Sequence, residues 1–207
     1  MSDCCNDHCH SQPPVNPRFR RALWIALAVN AAMFVVEIIG GFGAHSASLL
    51  ADAVDFFGDA ANYAVSLFVL GLAPVWRSRT ALLKGFTMGG YGLFVLGRVI
   101  WQYQQGTLPA ADVMGAIGII ALFANAGVAW LLYAFREGDA NMRSVWLCSR
   151  NDAIGNAAVI LAAMGVAAYS SNWPDLLVAL VMAVLGLQAA VHVIRQARQE
   201  LDGDNTR

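Results

Sequence analysis

Three aspartates lie in the middle of a long apolar segment, with the spacing of one helix face. They are Asp52, Asp55 and Asp59. At about 100° per residue, a helix places them within an arc of roughly 80° that also takes in Ser48 and Asn62. Each aspartate near the centre of a membrane span costs on the order of 2.5–3.5 kcal/mol on insertion scales. Carboxylates kept at such a cost are candidates for binding a cation.

A second polar set lies in a later apolar segment, where Cys148 and Asp152 are one helical turn apart, as are Asp55 and Asp59. Residues at this spacing have Cβ atoms about 5–6 Å apart. Two facing helices that each offer such a pair would form a four-ligand cage, which is the coordination number that Zn²⁺ favours. Carboxylate and thiolate together suit Zn²⁺, Cd²⁺ or Co²⁺ better than Mg²⁺ or Ca²⁺.

Other roles for these residues stay open. The aspartates could join helices by hydrogen bonds, although polar contacts in membranes contribute only about 0.6 kcal/mol each. Cys148 could be a small buried hydrophobe. Asp52 lies one turn from the Asp55–Asp59 pair, and we expect it to support the site rather than to bind the ion. Glu37, in the first apolar segment, has either a structural or a proton-accessible role.

The composition indicates how these residues are positioned. The chain has 207 residues, of which 58% are hydrophobic and 13% charged, against roughly 25% charged in soluble domains. Apolar segments long enough to cross a bilayer recur along it. They predict an all-α polytopic membrane protein with six transmembrane helices, at about 23–43, 46–75, 82–103, 113–135, 145–169 and 176–193.

The positive charges set the orientation. All of the 13 Lys and Arg residues except Arg98 lie at the two ends of the chain, in the connection between spans 2 and 3, or around the connection between spans 4 and 5. The positive-inside rule then predicts that both termini are cytoplasmic, in the plasma (inner) membrane. Without a basic tail or patch, no nucleic-acid partner is expected.

We expect three parts: a mobile cytoplasmic tail at 1–17, the transmembrane domain at 18–195 and a short cytoplasmic tail at 196–207. Five thiol or imidazole side chains crowd the first tail, either as a solvated segment or as a metal-capturing one: Cys4, Cys5, His8, Cys9 and His10. The cysteines do not form a disulfide framework.

Three motifs resemble the cation diffusion facilitator family of divalent-metal/proton antiporters. They are Asn30-x-x-x-Phe34-x-x-Glu37-x-x-x-Gly41, Ser48-Leu-Leu-Ala-Asp-Ala-Val-Asp55-x-x-x-Asp59 and Cys148-Ser-Arg-Asn-Asp152-Ala-Ile-Gly-Asn156. The resemblance implies that Asp55, Asp59, Cys148 and Asp152 bind the transported metal. It also implies efflux of Zn, Cd or Co in exchange for protons by alternating access, in a bilayer-embedded homodimer with no cofactor and no enzymatic activity.

Two departures from the family are visible. Cys148 stands where the family most often has histidine, which bears on metal selectivity. The family's usual C-terminal cytoplasmic domain is missing from this chain, so we expect a short form.

Two other classes remain as alternatives. One is a membrane metal sensor or buffer that does not transport. The other is a membrane-embedded enzyme that depends on aspartates, such as an intramembrane aspartyl protease or a CDP-alcohol phosphotransferase. The aspartyl protease usually has a Gly-x-Gly-Asp stretch, which this sequence lacks. The phosphotransferase needs a Gly at the position where this sequence has Ala51.

Overall fold

The computed structural model describes residues 17–68, 74–135 and 140–204, and within these ranges it contains six α-helices and no strand. The all-α prediction is therefore confirmed. The helices, in chain order, are α1 Pro17–Gly43, α2 Ala47–Phe68, α3 Pro74–Gln105, α4 Ala111–Tyr133, α5 Ala140–Tyr169 and α6 Trp173–Asp204. Residues 1–16, which hold the Cys/His-rich segment, lie outside the described residues.

Four stretches of the described chain are long and apolar enough to cross a membrane: Pro17–Gly43, Ala111–Tyr133, Asp152–Tyr169 and Trp173–Gln199. The helices α2, which carries three aspartates, and α3, which carries Arg77, Arg79, Lys84 and Arg98, are not among these stretches. Large apolar side chains cover the outside; Phe123 is 72% exposed and Trp130 80% exposed. Such an apolar surface faces lipid in a polytopic membrane protein.

The centre of the fold is α2. Every residue from Ser46 to Val54 is at most 4% exposed, because α2 packs against α1, α3, α5 and α6. One apolar cluster joins Phe56 to Met33 of α1 and Ala121 of α4. The most extensive helix pairs are α1 with α2, α3 with α6, and α4 with α5, so α2 lies where these pairs meet.

The turn from α1 to α2 depends on a close approach. A Cβ atom on Gly41 would lie 2.8 Å from Leu50 Cδ2, so only glycine fits there without a shift. The backbone N–H of Ser46 donates to the carbonyl of Gly41 at 2.9 Å, and His45 has φ 52°. This left-handed residue lets the chain reverse within three residues.

The first turn of α2 is capped from the other end of the sequence, by Asp175 in the first turn of α6. Its Oδ2 accepts from the backbone N–H of Ala47 at 2.9 Å, and its Oδ1 from that of Ser48 at 3.0 Å and from Ser46 Oγ at 2.7 Å. Gln102 of α3 donates to Oδ2 at 3.1 Å. The carboxylate therefore satisfies N–H groups that a helix start leaves without partners and joins α2, α3 and α6.

We predict that Asp175→Ala lowers the free energy of unfolding in detergent by at least about 2 kcal/mol, because it leaves buried donors unpaired. Asp112→Ala is the matched control, since Asp112 is also in the first turn of its helix but is exposed; its effect should stay within about 1 kcal/mol. Denaturant unfolding followed by tryptophan fluorescence measures both. Equal stability of the two variants would contradict this role of Asp175.

Candidate metal centre

The polar face of α2 points into the helix bundle. Asp52 is fully buried and Asp59 is 5% exposed, whereas Asp55 is partly exposed. Across from them, α5 carries Asp152, which is also partly exposed. The Asp152 and Asp59 carboxyl groups lie within hydrogen-bonding reach, and Asp55 is near enough for its charge to act on Asp152. The fold thus pairs two of the four predicted ligands, Asp59 of α2 and Asp152 of α5, and places a third, Asp55, within range of their charge.

The fourth predicted ligand, Cys148, lies in α5 one turn before Asp152, but its side chain falls outside the described part of the structure. Among the residues that are described, no group of three or more His, Cys, Asp or Glu side chains is gathered closely enough to hold a metal ion. The assignment of all four ligands therefore stays a prediction. The described carboxylates supply one close pair, Asp59 with Asp152, and Asp55 beside it.

A tyrosine that the sequence reasoning missed holds one member of this pair, Asp59. Tyr63 Oη donates to Asp59 Oδ2 at 2.8 Å and is also 2.8 Å from Ser149 Oγ, so it joins α2 to α5. Its side chain is completely buried. Groups that hydrogen-bond a ligand orient it and tune its affinity for metal. The signal was in the sequence, because Tyr63 continues the α2 stripe at four residues beyond Asp59.

A second polar network lies one turn away from the ligands. Asn156 Nδ2 donates to Asp52 Oδ2 at 2.6 Å, and Asn125 of α4 donates to Asn156 Oδ1 at 3.0 Å. Asp52 therefore joins α2 to α5 and has the supporting position expected for it. Glu37 of α1 reaches the same place, because its carboxyl group lies within hydrogen-bonding reach of that of Asp52. Asn125, a lone amide in an apolar helix, was not anticipated.

Comparison with known proteins identifies the family of the chain. Residues 23–201 match the family model described as "Cation efflux transmembrane domain". The chain belongs to the cation efflux family. This family consists of transporters, so the prediction against an enzyme is confirmed. The six described helices thus form a cation efflux transmembrane domain.

Several relatives of this cation efflux chain carry names that refer to metal transport or efflux. A "cadmium, cobalt and zinc/H(+)-K(+) antiporter" of Bacillus velezensis is 25% identical over 192 residues, covering 86% of this chain and 61% of the relative. The zinc transporter ZitB of Escherichia coli is 25% identical over 209 residues, covering 95% and 66%. The metal cation efflux system protein CzcD of Cupriavidus metallidurans is 22% identical over 187 residues, covering 84% and 58%. The chain spans less than two thirds of each of these relatives.

We predict that Tyr63→Phe weakens Zn²⁺ binding by about 10–100-fold, the usual effect of removing a group that orients a ligand. The ring stays, so the packing against Leu23 and Val128 is kept. Isothermal titration calorimetry in detergent measures the affinity. Tyr103→Phe is the control, because Tyr103 is 59% exposed and its ring packs on Trp173 of α6. Unchanged affinity in Tyr63→Phe would show that the hydroxyl does not act on the site.

Proposed function

We propose that this chain moves a divalent transition-metal ion, Zn²⁺, Cd²⁺ or Co²⁺, across the plasma (inner) membrane in exchange for protons. The observation that carries the proposal is the contact between Asp59 and Asp152, which pairs carboxylates of α2 and α5 inside a transmembrane domain. Membership of the cation efflux family and the names of the relatives support the class of cargo.

In this proposal Asp55, Asp59, Cys148 and Asp152 bind the ion. Metal binding requires deprotonated ligands, so arrival of M²⁺ releases protons and departure of M²⁺ lets them return. A site open alternately to each side then exchanges metal leaving the cell for protons entering it. A second copy of the chain completes the proposed homodimer, within the bilayer.

Hydrogen bonds between α2 and α5 hold the two helices that carry the proposed ligands in a fixed register. Tyr63 ties Asp59 to Ser149, and Asn156 ties Asp52 to the helix that carries Asp152. Because the two helices are joined both above and below the carboxylates, the ligands on α2 and α5 keep their relative height. A preformed arrangement of this kind lowers the ordering cost of binding an ion.

The direct test is Asp152→Asn in proteoliposomes, with metal and pH indicators inside. We predict loss of Zn²⁺ flux and of the accompanying proton movement by at least about 100-fold, since ligands matter more than the groups that orient them. Asp112→Asn, an exposed aspartate outside the site, is the matched control. Metal-driven proton movement that survives Asp152→Asn would overturn the assignment. Binding by the wild type without flux would instead indicate a sensor or buffer.

The role of Cys148 has its own test. We predict that Cys148→His retains transport and shifts preference from Cd²⁺ towards Zn²⁺, because imidazole replaces a softer thiolate ligand. The measurement is a panel of Zn²⁺, Cd²⁺ and Co²⁺ fluxes for wild type and variant. An identical metal profile in the two proteins would argue that Cys148 does not bind the ion.

A further inference from the structure

The carboxyl group of Glu37 in α1 is buried beside the polar face of α2. It is completely buried, and neither of its side-chain oxygens has a hydrogen-bond donor among the described residues. The carboxyl group of Asp52 on α2 lies within hydrogen-bonding reach of it, whereas Asp55 of α2 and Tyr91 of α3 are near enough for an interaction with its charge. The Tyr91 hydroxyl also has no hydrogen-bond partner among the described residues. A buried charge in such a place is expensive unless something neutralises it.

Asp52, the partner of Glu37, has one carboxylate oxygen that is not used by another hydrogen bond from the described residues. Its Oδ2 accepts from Asn156, whereas its Oδ1 has no hydrogen-bond partner within the described part of the chain. Two carboxyl groups within hydrogen-bonding reach bond to each other only if one carries a proton. One shared proton would join an oxygen of Glu37 to Oδ1 of Asp52 and remove one of the two charges of the pair. If the contact with Asp52 were purely structural, a glutamine at position 37 could make it without burying a charge.

The pair lies on the outer side of the proposed metal site. With a cytoplasmic N-terminus, α1 ends and α2 begins at the outer face, and Asp52 is five residues into α2. Asp59 is seven residues further on, about 10 Å along the helix axis towards the cytoplasm. Glu37 is six residues before the end of α1. A proton entering from outside therefore meets this pair before it meets the metal ligands.

We propose that Glu37 and Asp52 form a proton-binding site distinct from the metal ligands, which exchanges one proton with the outer side in each transport cycle. This inference rests on the proposed antiport. The step is simple: a carboxylate takes up H⁺ to become a carboxylic acid, and no other bond changes. The other titratable groups facing the pair are Asp55, Asp152 and Tyr91. A divalent ion among the aspartates repels the shared proton, so occupation of one site disfavours occupation of the other.

The test separates two modes of transport in proteoliposomes. Uptake of Zn²⁺ driven by a pH gradient needs protons to move, whereas exchange of labelled for unlabelled Zn²⁺ at equal pH does not. We expect Glu37→Gln to reduce pH-driven uptake by at least about 10-fold, as loss of a proton-transferring group does. Zinc exchange and zinc affinity should stay within about two-fold of wild type.

Three variants complete the design. Glu37→Asp keeps a carboxyl group and should restore much of the pH-driven uptake. Asp52→Asn keeps an acceptor for Asn156 and should separate the two modes as Glu37→Gln does, so the inference does not depend on one variant folding. Asp112→Asn, an exposed aspartate at the start of α4, should leave both modes unchanged.

Several results would overturn the inference. Normal pH-driven uptake by Glu37→Gln would show that the pair carries no proton. Parallel loss of uptake and exchange would show a structural role. If wild-type uptake depended on K⁺ and this K⁺ dependence disappeared in Glu37→Gln, the pair would bind a monovalent cation instead of a proton. If the wild type exchanges Zn²⁺ but a pH gradient drives no uptake, the proposed antiport itself fails, and the role of the pair with it.

Discussion

The burial of carboxylates at membrane depth is the constraint on which the rest of this structure depends. Asp52 and Asp59 are almost completely buried, in a helix whose other residues are mostly apolar. Such groups cannot face lipid, and water is excluded from most of their surroundings. The other helices must therefore enclose α2. They do so with the apolar clusters that unite α2 with α1, α3, α4, α5 and α6.

Once α2 is enclosed, its polar groups need partners from other helices, and those partners define the site. Towards the C-terminal end of α2, Tyr63 joins Asp59 to Ser149, and about two to three turns earlier Asn156 joins Asp52 to α5. At the N-terminal end of α2, Asp175 caps the first turn. These contacts hold α2 at three heights. The same helix thus presents a proposed metal site and, one turn nearer its N-terminal end, a carboxyl pair with Glu37.

Much of this arrangement was predictable from the sequence. The six helices, the inward face of α2 and the polar face of α5 that carries Asp152 follow from apolar length and from i, i+4 spacing, which are local properties. The described helices extend beyond several predicted spans: α3 begins at Pro74 rather than near Leu82, and α6 continues to Asp204. Hydropathy marks only the part of a helix within the bilayer, whereas hydrogen bonding continues into polar residues.

The sequence by itself determined the membrane class, the helix count, the family motifs and the residues with the chemistry to bind a metal. It did so because burying charge in an apolar helix is costly enough to leave a visible pattern. Only the tertiary structure decided which polar groups meet. Asp175 caps a helix more than 120 positions earlier, Asn125 reaches Asp52 through Asn156, and Glu37 faces Asp52 without a donor. Such pairings depend on how helices distant in sequence are rotated and shifted against each other, which no local spacing encodes.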